Sequence, residues 1–187
     1  MIKKWQCSTV VVLLLLVCSA SAQKVKTGYD KGGNFASYKT YSWAKLERPT
    51  NRPFFYQMVV NNVDYELQQR GLKRVEENGD LLLVPSGGVG TDFSVGAGSP
   101  VLSTMNYIPP SINASMWTGT LSGAVGTSGL VHEGTLMLAL VDLKANSIAW
   151  EGTLEDKIDF TRKQETLKRI EKGVAKLFKG FPIKSKK

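Results

Sequence analysis

Cysteine is nearly absent from this chain of 187 residues: Cys7 and Cys18 are the two it has, and no thiol follows. A disulfide within the body, a thiolate-bound metal and a cysteine nucleophile are excluded from position 19 onward. Histidine is scarcer still, with His132 alone, so a multi-histidine metal site is excluded too. No apolar run after the first two dozen residues approaches the roughly 20 residues that span hydrocarbon. Phosphate-binding loops are also missing. Gly87-Gly88-Val89-Gly90 follows the apolar stretch Leu81–Val84, but Phe93 stands where a dinucleotide fingerprint needs its third glycine, and no Gly-Lys-Ser/Thr ending exists. The segments ending at Ser99 and Gly129 lack the spacing that exposes a serine on a strand-to-helix elbow. No cofactor, no metal and no catalytic residue is expected on these grounds.

What is present is a globular composition, 42% hydrophobic and 21% charged, too apolar for a disordered chain. Lys3 and Lys4 precede an apolar run from Ser8 to Cys18, and Ser19-Ala20-Ser21-Ala22 follows before Gln23. A basic end, a short apolar helix and small residues at Ala20 and Ala22 read as a secretory signal peptide over 1–22, cleaved before Gln23. The mature protein is then exported, periplasmic or secreted. The alternative is a lipoprotein anchored through Cys18, although Val17 is bulkier than the small residue such signals place there. A thiol-free body suits an oxidising compartment.

Charge is unevenly divided. Residues 162–187 hold ten Lys or Arg against Glu165 and Glu171, whereas residues 23–161 hold twelve basic and fourteen acidic side chains. The positive excess therefore sits in the last 26 residues. There Leu167, Ile170, Val174, Leu177, Phe178 and Phe181 recur at helical spacing, which turns Lys168, Lys172, Lys176 and Lys179 outward. Such a row is a candidate contact for an anionic envelope component, with a solvated helix face as the plainer alternative. Nucleic acid is not expected as a partner of an exported protein; a protein partner remains open, and nothing in the sequence sets the oligomeric state.

The rest of the chain resolves into short elements. Lys24–Asp30 alternates as a first strand, and Tyr38–Trp43 reads as a second within the aromatic cluster Phe35, Tyr38, Tyr41 and Trp43, expected to be core. Tyr56, Val59, Val60, Val63 and Leu67 mark one stripe of a helix over 55–70, stopped by Gly71. In it Gln57, Asn61, Asn62, Asp64, Gln68 and Gln69 face elsewhere. Leu72–Val75 and Asp80–Val84 follow as strands, and Asn78-Gly79 predicts a tight hairpin between them. Glu133–Asp142 and Ile148–Leu154 form a second hairpin, with Ile148, Trp150 and Leu154 on the packed side and Ala149, Glu151, Thr153 and Glu155 toward water.

Residues 86–129 stand apart, holding nine of the eighteen glycines and a single charge, Asp92. They read as a partly flexible loop or hairpin insertion, in which Tyr107, Ile108, Met116 and Trp117 offer an apolar contact surface. The fold expected is α+β: an antiparallel sheet covered on one face by two amphipathic helices, near 55–70 and 162–179. It forms a single domain over 23–182, with 86–129 as insertion and 183–187 as a basic tail. His132 beside Glu133 is the one candidate general base of its type, and Asp142, Glu151, Glu155, Asp156 and Asp159 include the candidate paired acids.

Six blocks carry a resemblance: Tyr29-Asp30-Lys31, Asn34–Trp43, Asp80–Val84, Glu133–Leu136 leading to Val141–Leu143, Ile148–Gly152 and Lys176–Pro182. In this order they resemble the domain of unknown function 4136 family, which comprises bacterial envelope proteins, often lipoproteins. The resemblance implies an envelope location and no established activity, so no site residue follows from it. The functional expectation is a non-enzymatic periplasmic or membrane-associated binding or assembly module. The alternative is a small-ligand carrier or hydrolase with a site under the Gly-rich loop near His132.

Overall fold

The computed structural model describes residues 23–46, 50, 52–88, 93–94 and 131–186. The leader and most of the Gly-rich segment, with Tyr107, Ile108, Met116 and Trp117, lie outside the described residues. The sheet is built around a hairpin of its two longest strands. Strand β6 (Val131–Asp142) and strand β7 (Ser147–Asp159) form an antiparallel hairpin. Strand β1 (Lys24–Tyr29) adds to the outer side of β7, antiparallel, from Lys24 opposite Glu155 to Tyr29 opposite Trp150. Strand β4 (Leu81–Gly88) lies on the other side of β6, also antiparallel. Beyond it come β2 (Thr40–Trp43) and β3 (Lys73–Arg74), giving the order β1-β7-β6-β4-β2-β3, while the two-residue β5 (Phe93–Ser94) pairs with β4.

Two helices cover one face. Helix α1 (Pro53–Gln68) buries Val59, Val60, Val63 and Leu67, and helix α2 (Lys163–Leu177) buries Val174 and Leu177, continuing into a 3-10 turn at Phe178–Gly180. Val59, Val63, Leu67, Val174 and Leu177 join Leu136, Leu138 and Leu140 of β6, Trp150 and Leu154 of β7, and Leu81 and Leu83 of β4 in the main core. Phe35, Tyr41 and Phe181 belong to the same cluster. The α+β class and the placing of both helices on one face agree with the sequence pattern. The opposite face carries a smaller apolar cluster of Val84, Ala139, Val141 and Ile148, with no described helix among its members.

The sheet is mixed rather than wholly antiparallel, because the hairpin predicted at Asn78-Gly79 does not form. Strands β3 and β4 never pair with each other; each runs parallel to β2, one on either side. The cause is α1, which returns the chain to the end of the sheet where β2 began, so that the next strand runs parallel. Residues 75–80 then carry the chain across β2. At Gly79 the backbone passes so near that an added Cβ would lie 2.6 Å from the nitrogen of Ser42 and the carbonyl carbon of Tyr41. Asn78, at φ 56°, supplies the turn. Asp80 anchors the far side, its carboxylate accepting hydrogen bonds from the backbone N–H of Lys39 (2.9 Å) and Thr40 (3.0 Å) and from the Thr40 hydroxyl (2.9 Å).

The sequence alternation of β7 fails in one place. Leu140 pairs with Trp150 but Val141 pairs with Ile148, so Ala149 is an extra residue in the ladder, a β-bulge. The bulge moves Ile148 to the face opposite Trp150, where it packs with Val84, Ala139 and Val141. Asp64 departs from its expected outward position as well. Its carboxylate accepts from the Tyr41 hydroxyl (2.7 Å), the Trp43 indole N–H (2.9 Å) and Arg74 Nη1 (2.6 Å), and so ties α1 to β2 and β3.

Because a methyl group at position 79 would be forced into the β2 backbone rather than against a side chain that can yield, Gly79→Ala is expected to cost at least ~2 kcal/mol. Urea denaturation followed by circular dichroism measures it; an unchanged midpoint would show that the crossing is looser than the geometry described.

Candidate functional site

The side chains that the sequence nominated divide into three places. Lys168, Lys172 and Lys176 are exposed along α2, and Lys179 is exposed in the turn that follows. Lys176 Nζ donates to the carbonyl of Gln23 at 3.0 Å, and none of the four has a carboxylate within salt-bridge distance among the described residues. His132 is placed in β6 at the register position opposite Ile158; its side chain lies outside what is described. The aromatic cluster is core, with Phe35 in edge-to-face contact with Tyr29, Tyr38 and Phe181. Burial and the neighbouring Asp64 push the Tyr41 hydroxyl well above its ordinary range, so it donates and stays neutral.

Four of the five candidate acids are engaged in holding the fold. Asp142 accepts from the Tyr38 hydroxyl (2.8 Å) and from the backbone N–H groups of Lys144 and Ala145 in the β6–β7 turn. Glu155 sits 3.4 Å from Lys24 on the neighbouring strand. Asp159 accepts from the Thr161 backbone and hydroxyl (2.9 and 2.6 Å), which lowers its carboxyl below the ordinary range and leads the chain into α2. Asp156 is the most tied. It pairs with Arg169 and accepts from Gln23 Nε2 at 2.7 Å and from the Lys157 N–H at 2.8 Å.

Glu151 is the exception, and it corrects the expectation that it faces water. It is 2% exposed, and neither carboxylate oxygen has a hydrogen-bond partner among the described residues. Its register neighbours are Ala139 on β6 and Gly28 on β1, which offer no charge. Desolvation raises its carboxyl from 4.5 to about 7. The signal in the sequence was present but weak: Glu151 lies inside a strand between buried residues, where alternation alone predicts a wet face.

A cleft opens on the helix-covered side, where the N-terminal halves of α1 and α2 approach the β6–β7 ends. Its volume is about 70 Å³, and it is open to solvent. Phe55, Tyr56 and Val59 of α1 form one wall, Leu136, Leu154 and Ile158 the floor, and Phe160 and Ile170 the other wall. Phe55 and Phe160 meet edge to face at 5.1 Å. Arg52 lies over the Phe160 ring at 3.7 Å, and Arg169 and Lys157 border the opening. Sequence reasoning missed the cleft because its lining comes from four elements, α1, β6, β7 and α2, spread along the chain. Among the described residues no group of three or more His, Cys, Asp or Glu side chains lies together in a way that could hold a metal ion. No described helix is long and apolar enough to cross a membrane.

A strand–helix–strand unit inserted in an otherwise antiparallel sheet, with both described helices on one face, defines an α+β fold. Residues 25–183 match the family described as Domain of unknown function (DUF4136), and the chain belongs to it. A DUF4136 family protein from Bacteroides thetaiotaomicron is similar in structure, with 14% identity, TM-score 0.55, and 86% of this chain and 96% of that one covered. PelC from Paraburkholderia phytofirmans, solved as a dodecamer, is similar at 10% identity and TM-score 0.50, over 89% of this chain and all of that one. A PDZ domain protein from Parabacteroides distasonis is similar at 15% identity and TM-score 0.51. That match covers 88% of this chain but 37% of the other. No curated protein matches the chain.

The raised carboxyl of Glu151 fixes a pH dependence. The folded value of about 7 exceeds the ordinary 4.5, so folding favours the protonated form. The associated stability is complete below ~4.5 and is lost as pH rises through ~7. Between pH ~5 and ~8 the wild type is expected to lose roughly 2 to 3 kcal/mol relative to Glu151→Gln. Denaturant titrations of both proteins at the two pH values measure the difference, and a pH-independent difference would contradict the assignment.

Proposed function

We propose that the protein is a non-enzymatic binding or assembly module of the bacterial cell envelope, exported by its leader, that docks on an anionic surface through one face of α2. The observation that carries this reading is the separation of α2 into two faces. Val174, Leu177 and, just beyond, Phe178 are buried in the core, while Lys168, Lys172, Lys176 and Lys179 are exposed. Spacings of four put the first three on one row. With no acid paired to them among the described residues, Lys168, Lys172 and Lys179 are available to an external anion, and Lys176, which gives one N–H to the Gln23 carbonyl, keeps its others for the same use.

Each lysine held near an anionic membrane contributes on the order of 1 kcal/mol, and the sum decays over a Debye length. One copy therefore binds weakly. PelC, whose fold this chain shares, is a dodecamer, and presenting several copies of the same row together would multiply weak contacts without any new one. Self-association belongs to this reading for that reason. Membership of DUF4136, the basic leader pattern at Lys3 and Lys4, and the thiol-free body support the envelope setting.

Sedimentation with phosphatidylglycerol vesicles tests the docking. Retention is expected at ~0.01 M salt, to fall steeply by ~0.15 M, and to be lost at both in the variant carrying Lys→Gln at 168, 172, 176 and 179. Retention that ignores salt, or that survives the fourfold substitution, would overturn the role given to this face.

A further inference from the structure

Gln23, the residue that leader removal would leave at the amino terminus, is seated by its side chain at the start of β1. Its Nε2 donates to Asp156 Oδ2 of β7 at 2.7 Å and to the Arg169 carbonyl of α2 at 2.9 Å. The seat is built for a carboxamide. Asp156, whose side chain is 10% exposed, is itself oriented by Arg169, which donates from Nε to the same Oδ2 at 3.1 Å. Gly173 supplies the room, since an added Cβ there would stand 3.1 Å from Gln23 Nε2 and 2.6 Å from Leu154 Cδ2. Lys176 Nζ holds the main chain of the same residue, donating to the Gln23 carbonyl at 3.0 Å. The backbone nitrogen of Gln23 takes no part in any of these contacts.

An amino-terminal glutamine ordinarily closes on itself. The α-amine nitrogen attacks Cδ, the bond from Cδ to Nε2 breaks, and Nε2 leaves as ammonia, so that a neutral five-membered lactam replaces a terminal cation. We propose that the Asp156–Arg169 seat blocks this closure, so that the mature protein keeps an open Gln23 carrying its α-ammonium; the inference rests on the reading that the leader is removed before Gln23. Two effects act together. Closure swings Cδ onto the backbone nitrogen, away from acceptors fixed on two different elements, and gives up both hydrogen bonds, one of them to a charged partner. Donation from Nε2 to a carboxylate also strengthens the resonance of the side-chain amide, which makes Cδ a poorer electrophile. What is preserved is charge beside the lysine row. A backbone nitrogen lies within about 4 Å of its own carbonyl oxygen, so the ammonium stands no more than about 7 Å from Lys176 Nζ. It adds a cation to the docking face within the reach of a Debye length.

Mass spectrometry of the mature protein, made from the full chain with its own leader in a bacterium that exports it, tests the inference, because closure lowers the mass by that of one ammonia. During incubation at neutral pH the folded protein is expected to close at least about tenfold more slowly than the free peptide Gln23–Tyr29. Asp156→Ala, which removes the charged acceptor, should bring the rate to within about threefold of the peptide. Should that variant fail to fold, Asp156→Asn, which keeps the shape of the seat without its charge, replaces it and should close at least about threefold faster than the wild type. A terminus at Gln23 that closes as fast as the peptide, or a folded variant that closes as slowly as the wild type, would overturn the inference alone. A mature chain beginning at another residue would overturn it together with the cleavage position, and a retained leader would remove the export reading as well.

Discussion

Trp150 is the contact on which the domain turns. Its ring is fully buried, stacked on Phe178 with centroids 5.2 Å apart and edge-on to Phe181 at 5.4 Å. The approach is possible because Gly152, next on the same face of β7, has no side chain: a Cβ there would lie 2.7 Å from the Trp150 ring and 2.8 Å from Leu177. Stacking geometry and apolar burial together make such an aromatic among the most costly residues to remove, at about 3–5 kcal/mol. It also fixes α2 in rotation. Once Val174, Leu177 and Phe178 point at the sheet, the helical period sends Lys168, Lys172 and Lys176 to solvent. The basic face is thus a consequence of core packing, and the first turns of α2 are placed at the cleft by the same constraint.

The same residue sets the fate of its neighbours. Side chains alternate along a strand, so burying Trp150 against the helices commits Glu151 to the other face. That face holds Val84, Ala139, Val141 and Ile148, and it gives a carboxylate no compensating donor among the described residues. Arg70 is a buried charge that is met. Arg70 is 8% exposed, and it donates to the Glu66 carbonyl (2.7 Å), the Glu66 carboxylate (2.6 Å) and the Phe178 carbonyl (2.9 Å), joining the end of α1 to the turn after α2. Asp64 and Asp156 each collect several donors. An isolated buried carboxylate is costly when ionised, and proton uptake relieves that cost at a pH near neutrality.

Local patterns carried much of this into the sequence. The 3.6-residue period marked α1 and α2, and the unbroken run from Glu133 to Asp142 marked β6, because each reports a single element against one apolar layer. The lysine row was legible for the same reason. What escaped depended on how elements meet. A two-residue turn signal at Asn78-Gly79 resembles a hairpin, yet here it serves a crossing over β2, since the pairing is decided by α1 bringing the chain back in the same direction. The bulge at Ala149 leaves no mark, because alanine tolerates either face, and it reverses the side on which Ile148 packs. Asp64 reads as one more polar residue on a helix until Tyr41, Trp43 and Arg74 are brought to it from two strands.

The cleft illustrates why a site of this kind stays hidden in one dimension. Ile170 fits the core stripe of its helix, Phe55 and Ile158 lie just outside the patterns marked for α1 and β7, and nothing local says that the three will line one space. That arrangement arises only when α1, α2 and the ends of β6 and β7 are brought together around one space. The Asp156–Arg169 pair works in that opening as a strut, joining β7 to α2, and Gln23 Nε2 adds a third point by donating to both Asp156 and the Arg169 carbonyl (2.9 Å). A strut of charged groups at the mouth of an apolar cleft does two things at once. It spends the one acid of the lining on an internal partner, and it fixes the distance between β7 and α2 beside the opening.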